Sequence, residues 1–262
     1  MSKKRLIPKL QLKTSSFDVN RMVLVITRQF NEVIEIGDAV SQAKIYQDQG
    51  ADELIFVNID RADKSIERLA KIIAKVSEEI FMPITVGGGV ANEGDFRTLL
   101  SNGADKIAIN TAAVNEPDLI RRASDKFGAQ CVVVSIDYSK ESNSDSYKVF
   151  KNNGTVKTDL DPIEWAVKCE ELGAGEILLT CIDNDGMKCG LDIGVTKKIV
   201  SKISIPVITS GGCGLANHFS DGYILGNAEA VSAGTFFAHR DQNFMQTRSQ
   251  IKNSGVNIRI YN

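Results

Sequence analysis

One stretch of this chain occurs twice, and the spacing of the copies limits what it can fold into. GADELIFVNID, starting at Gly50, resembles GAGEILLTCID, starting at Gly173, so Glu53 and Glu176 stand 123 residues apart. PITVGGG from Pro83 resembles PVITSGG from Pro206 at the same offset, and NGADKIAINTAAV from Asn102 resembles LGNAEAVSAGTFFA from Leu225, the offset reaching 124 where Thr111 meets Thr235. Three elements in register at about half of 262 residues mean a duplicated unit, not a many-fold solenoid. Each copy contains short apolar runs of strand type followed by longer stretches of helical period. Along the whole chain eight runs read as strands: Leu6–Leu12, Glu53–Ile59, Ile84–Val86, Lys106–Ile109, Cys131–Ile136, Glu176–Cys181, Pro206–Thr209 and Ala230–Ala233. Helical stretches over 38–49, 65–79, 94–101, 117–127, 162–172 and 194–201 separate them. Strands alternating with helices call for a parallel sheet with crossover helices. Eight is the number that closes a barrel, and four duplicated β/α units fit a (β/α)8 TIM barrel better than the alternative, an open doubly wound sheet. The expectation is one α/β domain over 1–262, with half-barrels of about 1–125 and 126–262.

Charge and cysteine content narrow the function. Lys and Arg number 31 against 33 Asp and Glu, a net charge of −2, which argues against a general nucleic-acid binder. No apolar run approaches a membrane-spanning length, and MSKKRLIPKL lacks a signal peptide's apolar stretch. Five cysteines without a CxxC pair, and only two histidines, His218 and His239, read as neither a disulfide framework nor a zinc site. A reduced, cytoplasmic protein without metal or cofactor is expected.

In a barrel of this kind the site lies at the C-terminal ends of the strands, where glycine-rich loops and helix starts hold phosphate. Both copies end a strand in glycines, Gly87-Gly88-Gly89 and Gly211-Gly212, and one unit later in Asn110-Thr111 and Gly234-Thr235. For a single loop a tight turn explains the glycines equally well. Two copies at matching offsets point to two anion sites, and so to a substrate with phosphates at both ends. Trp165 and Cys169, one helical turn apart, read as core. Cys181, Cys189 and Cys213 have no histidine to activate them. KESNSDSYK from Lys140 reads as the turn of a hairpin after the fifth strand.

The runs TVGGG, GADKIAINTAAV, CVVVSID, LGAGEILLTCIDNDG, IPVITSGGCG and GVNIRI resemble HisF, the cyclase subunit of imidazole glycerol phosphate synthase, over nearly the whole chain. The resemblance implies a first phosphate site at Gly89, Asn110 and Thr111 and a second at Gly186, Gly212, Gly234 and Thr235. It implies that Asp137 is one of two catalytic aspartates, with Asp185 an acid at the same mouth. At the opposite end it implies an ammonia gate of Arg5, Glu53, Lys106 and Glu176, and Asp105 as a docking residue for a HisH-like glutaminase partner. The bland reading of those four charges is a salt-bridge ring that plugs the barrel base.

Three mouth positions depart from the family pattern. Its first strand resembles IIPCLDVKDG, but this chain reads LIPKLQLKTS, with Gln11 in place of the second aspartate and Lys9 in place of a small residue. VNID replaces LDI, so Asn58 also stands where an acid is expected. Glutamine cannot exchange a proton near neutral pH as a tuned carboxylate can. Arg5, Ile7, Lys9 and Gln11 share one strand face, so Lys9 is expected inside the barrel, paired with Asp137, as a general acid or an anchor. The loop Thr14–Ile36 is longer than the family's; its lysine falls near Ile26, with Arg21, Arg28 and Lys13 as substitutes. The nearest character is that of the WbuZ-type HisF-like paralogues. The first reading is therefore a glutaminase-fed subunit that supplies ammonia for amidating a surface polysaccharide sugar, on a phosphorylated or nucleotide-linked substrate. The alternatives are a genuine cyclase of histidine biosynthesis and a non-catalytic activator of the glutaminase.

Overall fold

The structure is a computed structural model that describes residues 3–142, 144–238 and 243–259. His239, Asn143 and Ile260, at the end of GVNIRI, lie outside the described residues. In chain order the elements are β1 (Arg5–Thr14), β2 (Met22–Arg28), β3 (Glu32–Gly37), α1 (Ala39–Asp48), β4 (Leu54–Asn58), α2 (Ile66–Ser77), β5 (Ile84–Gly87), α3 (Glu93–Ser101) and β6 (Lys106–Ile109). They continue through α4 (Thr111–Asn115), α5 (Asp118–Phe127), β7 (Val132–Lys140), β8 (Tyr147–Lys151), β9 (Val156–Lys157), α6 (Pro162–Glu171) and β10 (Glu176–Cys181). The last are α7 (Ile193–Val200), β11 (Val207–Ser210), α8 (Ala216–Ile224), β12 (Ala230–Ala233), α9 (Thr235–Ala238) and α10 (Phe244–Asn253).

Eight of the strands close a parallel barrel in the order β1, β4, β5, β6, β7, β10, β11, β12, and β12 returns to β1. The fold is the (β/α)8 barrel that the repeat predicts. Its matched strands, β4 with β10, β5 with β11 and β6 with β12, lie four places apart around the ring, on opposite sides of the axis.

Strand alternation sorts the side chains into two cores. Outward residues such as Leu6, Leu10, Leu54, Phe56, Val86 and Ile107 meet the helices in one buried layer. Helix α2 shows how that layer forms. Ser65 caps it by accepting from the Arg68 amide, and Ile66, Leu69, Ala70, Ile73 and Val76 recur at helical spacing to give one buried face. Inward residues form a second, separate cluster of Ile7, Ile55, Ala108, Val133, Leu178, Ile208 and Ala230 around the axis. Trp165 and Cys169 are buried, as expected of core residues.

Below the inner apolar cluster the four charges expected at the strand starts form a closed ring. Arg5 bridges Glu53 (2.7 Å) and Glu176, and Lys106 bridges the same two carboxylates at 3.1 and 2.9 Å. Burial works against the Arg5 charge, but Glu176 and Glu53 outweigh it and raise its pKa further. A buried Asp52, which accepts from the Leu6 amide, ties α10 to this end through Arg248 at 2.8 Å.

Two regions differ from the sequence reading. The segment 14–36, read as a loop, is mostly a β-hairpin: β1 extends to Thr14 and pairs antiparallel with β2, which pairs with β3. The β-branched runs MVLVITR and EVIEI carry that strand signal. The second region is KESNSDSYK, where β7 runs out of the barrel and pairs antiparallel with β8, Lys140 opposite Tyr147. This is the expected hairpin, with its arms longer than the sequence indicated. Among the described residues no helix is long and apolar enough to cross a membrane.

Removing one cation from the basal ring leaves two buried carboxylates sharing one lysine. Arg5→Leu is therefore expected to lower stability by about 3 kcal/mol, the scale for breaking one side of a buried ion pair. Urea unfolding of the two proteins measures it.

Candidate active site

The mouth of the barrel holds two cavities, of about 350 and 630 Å3, that share Val57, Arg61, Ser135, Asp137, Asn153 and Leu178 in their walls. The larger is lined by the Gly87–Gly89 loop, Asn110 and Thr111, so the first predicted anion site faces open space. The loop can take this path because it lacks side chains. Gly88 has φ +94°, and a Cβ there would sit 2.2 Å from the Asn58 carbonyl oxygen. The smaller cavity continues down the axis to Lys9, Gln11 and Lys13 from β1 and Thr180 from β10.

Asp137 lies where the two cavities meet, on the inward face of β7. Its carboxylate accepts from Asn110 Nδ2 at 2.9 Å and from Ser135 Oγ at 3.4 Å. Burial raises its pKa to about 6; the Lys9 charge opposes this rise and the Asp185 charge assists it. A carboxyl tuned to this range exchanges protons near neutral pH.

Lys9 faces the same cavity and is 8% exposed, but it makes no ion pair with Asp137 within 4.0 Å. The expected pairing is thus corrected: the two groups act on each other across the cavity instead of in contact. Gln11 is buried and turned toward the hairpin. Its Nε2 donates to Thr27 Oγ1 at 3.0 Å, and that hydroxyl donates to Asp185 at 2.6 Å. Where the family pattern places an acid, this chain has a latch that holds β2 against the loop after β10. Asn58 is also a turn former here. It donates to the Asp63 carbonyl and accepts from the Asp60 amide, fixing the loop that follows β4.

That loop supplies residues the sequence reading missed. Arg61 and Lys64 line the larger cavity, and Lys64 Nζ donates to the Asn58 carbonyl at 2.9 Å and to Asn153 Oδ1 at 3.3 Å. Burial pulls the Lys64 pKa down to about 8. Asp60 anchors the loop. Burial would raise its pKa, but the Thr14, Ala62 and Asp63 amides hold the carboxylate at about 2. The charged run DRADK after a strand was the available signal.

The second predicted anion site is arranged differently. None of Gly186, Gly212, Gly234 and Thr235 lines these two cavities. The hairpin lies against two of these residues: Thr235 Oγ1 donates weakly to the Thr27 carbonyl at 3.5 Å, and a Cβ on Gly186, where φ is +72°, would meet the same oxygen at 2.2 Å. Of the cations weighed for the hairpin region, Lys13 reaches the cavity. Arg21 and Arg28 are turned outward, toward Asp38 and Glu32. Asp105 is exposed at the strand-start end and accepts from the Ile84 amide. Burial pushes the Cys181 thiol up to about 12 and raises Cys213 as well, which disfavours a thiolate at either.

An aspartate in the unfolded chain titrates at about 3.9, below the native Asp137. The native state therefore loses stability as pH rises from about 4 to about 6 and carries the full penalty above that. Asp137→Asn removes the penalty. The variant is expected to be more stable than the parent by about 2–3 kcal/mol at pH 8, with the difference vanishing near pH 4, in urea melts across that range.

The model of the histidine biosynthesis protein family matches residues 6–242. A putative imidazole glycerol phosphate synthase subunit hisF2 of Prochlorococcus marinus is 48% identical over 261 residues, covering 99% of each chain. The imidazole glycerol phosphate synthase subunit HisF of a Clostridium botulinum strain is 40% identical over 260 residues, covering 99% of this chain and all of that one. With the family model spanning the barrel and both relatives aligned from end to end, the chain belongs to the HisF family of histidine biosynthesis proteins.

Proposed function

We propose that this chain is the synthase subunit of an imidazole glycerol phosphate synthase-type enzyme, adding ammonia to a phosphorylated substrate. One observation carries the proposal: the glycine, Asn110 and Thr111 cradle and the titratable Asp137 open into one connected cavity. The other end of the barrel interior closes in an ion-pair ring rather than in apolar packing. In this reading one substrate phosphate lies against Gly89, Asn110 and Thr111, with Arg61 and Lys64 adding positive charge. The second phosphate takes the Gly186, Gly212, Gly234 and Thr235 site once the hairpin shifts. Asp137 transfers the protons of the ring-closing step. Arg5, Glu53, Lys106 and Glu176 gate the ammonia, and Asp105 lies on the face where a HisH-like glutaminase docks.

The names of the relatives fit the histidine-pathway reading better than amidation of a surface sugar, which none of them mentions. Gln11 is the observation that keeps the sugar reading in view, because an amide replaces one of the two acids that the cyclase chemistry uses.

The purified protein, given saturating ammonium salt, is expected to turn over the phosphoribulosyl formimino nucleotide. Asp137→Asn is expected to lower kcat by at least about 100-fold, the scale of a lost acid–base catalyst. A folded protein that shows no turnover would exclude this substrate and return attention to amidated sugars.

A further inference from the structure

Lys9 is the feature of the mouth that neither stability nor the anion cradle explains. Its side chain is buried on the inward face of β1 and lines the axial cavity with Gln11, Thr180 and Asp137. Among the described residues it has no hydrogen bond and no ion pair. Burying an unpartnered cation is unfavourable, so packing alone gives no reason for a lysine at this position. What the position offers is a primary amine in a sheltered cavity. A carboxyl stands across from it, and the cavity continues into the phosphate cradle through the shared wall of Ser135, Asp137 and Asn153.

We propose that Lys9 is a covalent catalytic residue, whose amine forms an imine with the carbonyl of a sugar phosphate held in the Gly87–Gly89 and Thr111 cradle. A lysine amine facing a carboxyl across a sheltered cavity is placed for this chemistry, and the protonated imine is a stronger electrophile than the parent carbonyl. The unprotonated amine adds to the carbonyl carbon, a C–N bond forms, and a proton passes from nitrogen to oxygen. Asp137 supplies the second proton, the oxygen leaves as water, and the protonated imine remains. Asp137 is suited to that role because burial leaves part of it protonated near neutral pH. Ammonia then adds to the same carbon and displaces the lysine amine. The net change replaces the carbonyl oxygen by NH, releases one water and needs no redox partner. The ammonia step rests on the synthase reading above; imine formation does not.

The test incubates the full chain with ribulose 5-phosphate and sodium cyanoborohydride, without ammonia, and locates the reduced adduct by peptide mass spectrometry. An adduct on the Lys9 peptide is expected, lost in both Lys9→Arg and Lys9→Met and suppressed by inorganic phosphate. Circular dichroism checks that both variants fold. Lys9→Arg keeps the positive charge without an amine nucleophile, so adduct loss there separates chemistry from charge. Addition of ammonium salt is expected to discharge the imine and reduce the yield at least tenfold. No adduct on Lys9, or labelling confined to Lys13 or Lys64, overturns the proposal. So does an adduct indifferent to phosphate, which would detach it from the cradle. A Lys9 adduct that ammonium leaves unchanged would instead strike down the ammonia step and leave the imine standing.

Discussion

Strand β1 is hydrogen-bonded in parallel on both sides, to β4 and to β12, and this closure fixes everything inside the barrel. Once the sheet has no parallel edge, every second residue of each strand points at one axis, and residues far apart in the chain become neighbours in layers. Arg5, Glu53, Lys106 and Glu176 meet because each stands at or just before the start of a different strand. A buried charge requires a partner, and the alternation of two cations with two anions satisfies all four. The apolar cluster of Ile7, Ile55, Val133, Leu178 and Ile208 separates that ring from the mouth. The polar groups above it, Lys9, Ser135, Thr180 and Asp137, therefore line the cavity at the mouth.

That layering is the source of the chemistry. Asp137 carries an ordinary side chain on an ordinary strand; its pKa is raised because the layer beneath is apolar and the walls around it are protein. The same enclosure lowers Lys64. Asp60, a few residues away, moves in the opposite direction because three backbone amides point at it. Burial and hydrogen bonding thus set three nearby groups apart: Asp137 is raised and Lys64 lowered by burial, while backbone amides hold Asp60 ionised in the loop.

The hairpin β2–β3 gives this barrel its individual character. It crosses the mouth, places Phe30, Asn31 and Val33 in the wall of the axial cavity, and is held down through Gln11, Thr27 and Asp185. Replacing an acid by Gln11 is intelligible in this setting. An amide can donate to the Thr27 hydroxyl while that hydroxyl donates onward to Asp185, whereas an ionised carboxylate can only accept. Gln11 thereby forms a structural link between the first strand, the hairpin and the loop after β10.

The sequence by itself determined the barrel. The repeat offset, the eight apolar runs and the glycine-ended strands are properties of short segments, and strand and turn preferences are decided locally. The four charges of the ring were picked out through the family resemblance, which placed each at the start of a strand. What the sequence left open depended on burial and on contacts between distant segments. The hairpin was read as a loop although its β-branched runs carry a strand signal, because the partners that make those runs a sheet, β1 for β2 and β2 for β3, are supplied only by the tertiary structure. Arg61 and Lys64 were missed because their place in the cavity wall depends on how the loop after β4 folds. The facing of Lys9 followed from strand alternation, but the lack of a partner within reach was set by the spacing across the closed barrel, which is a property of the tertiary structure alone.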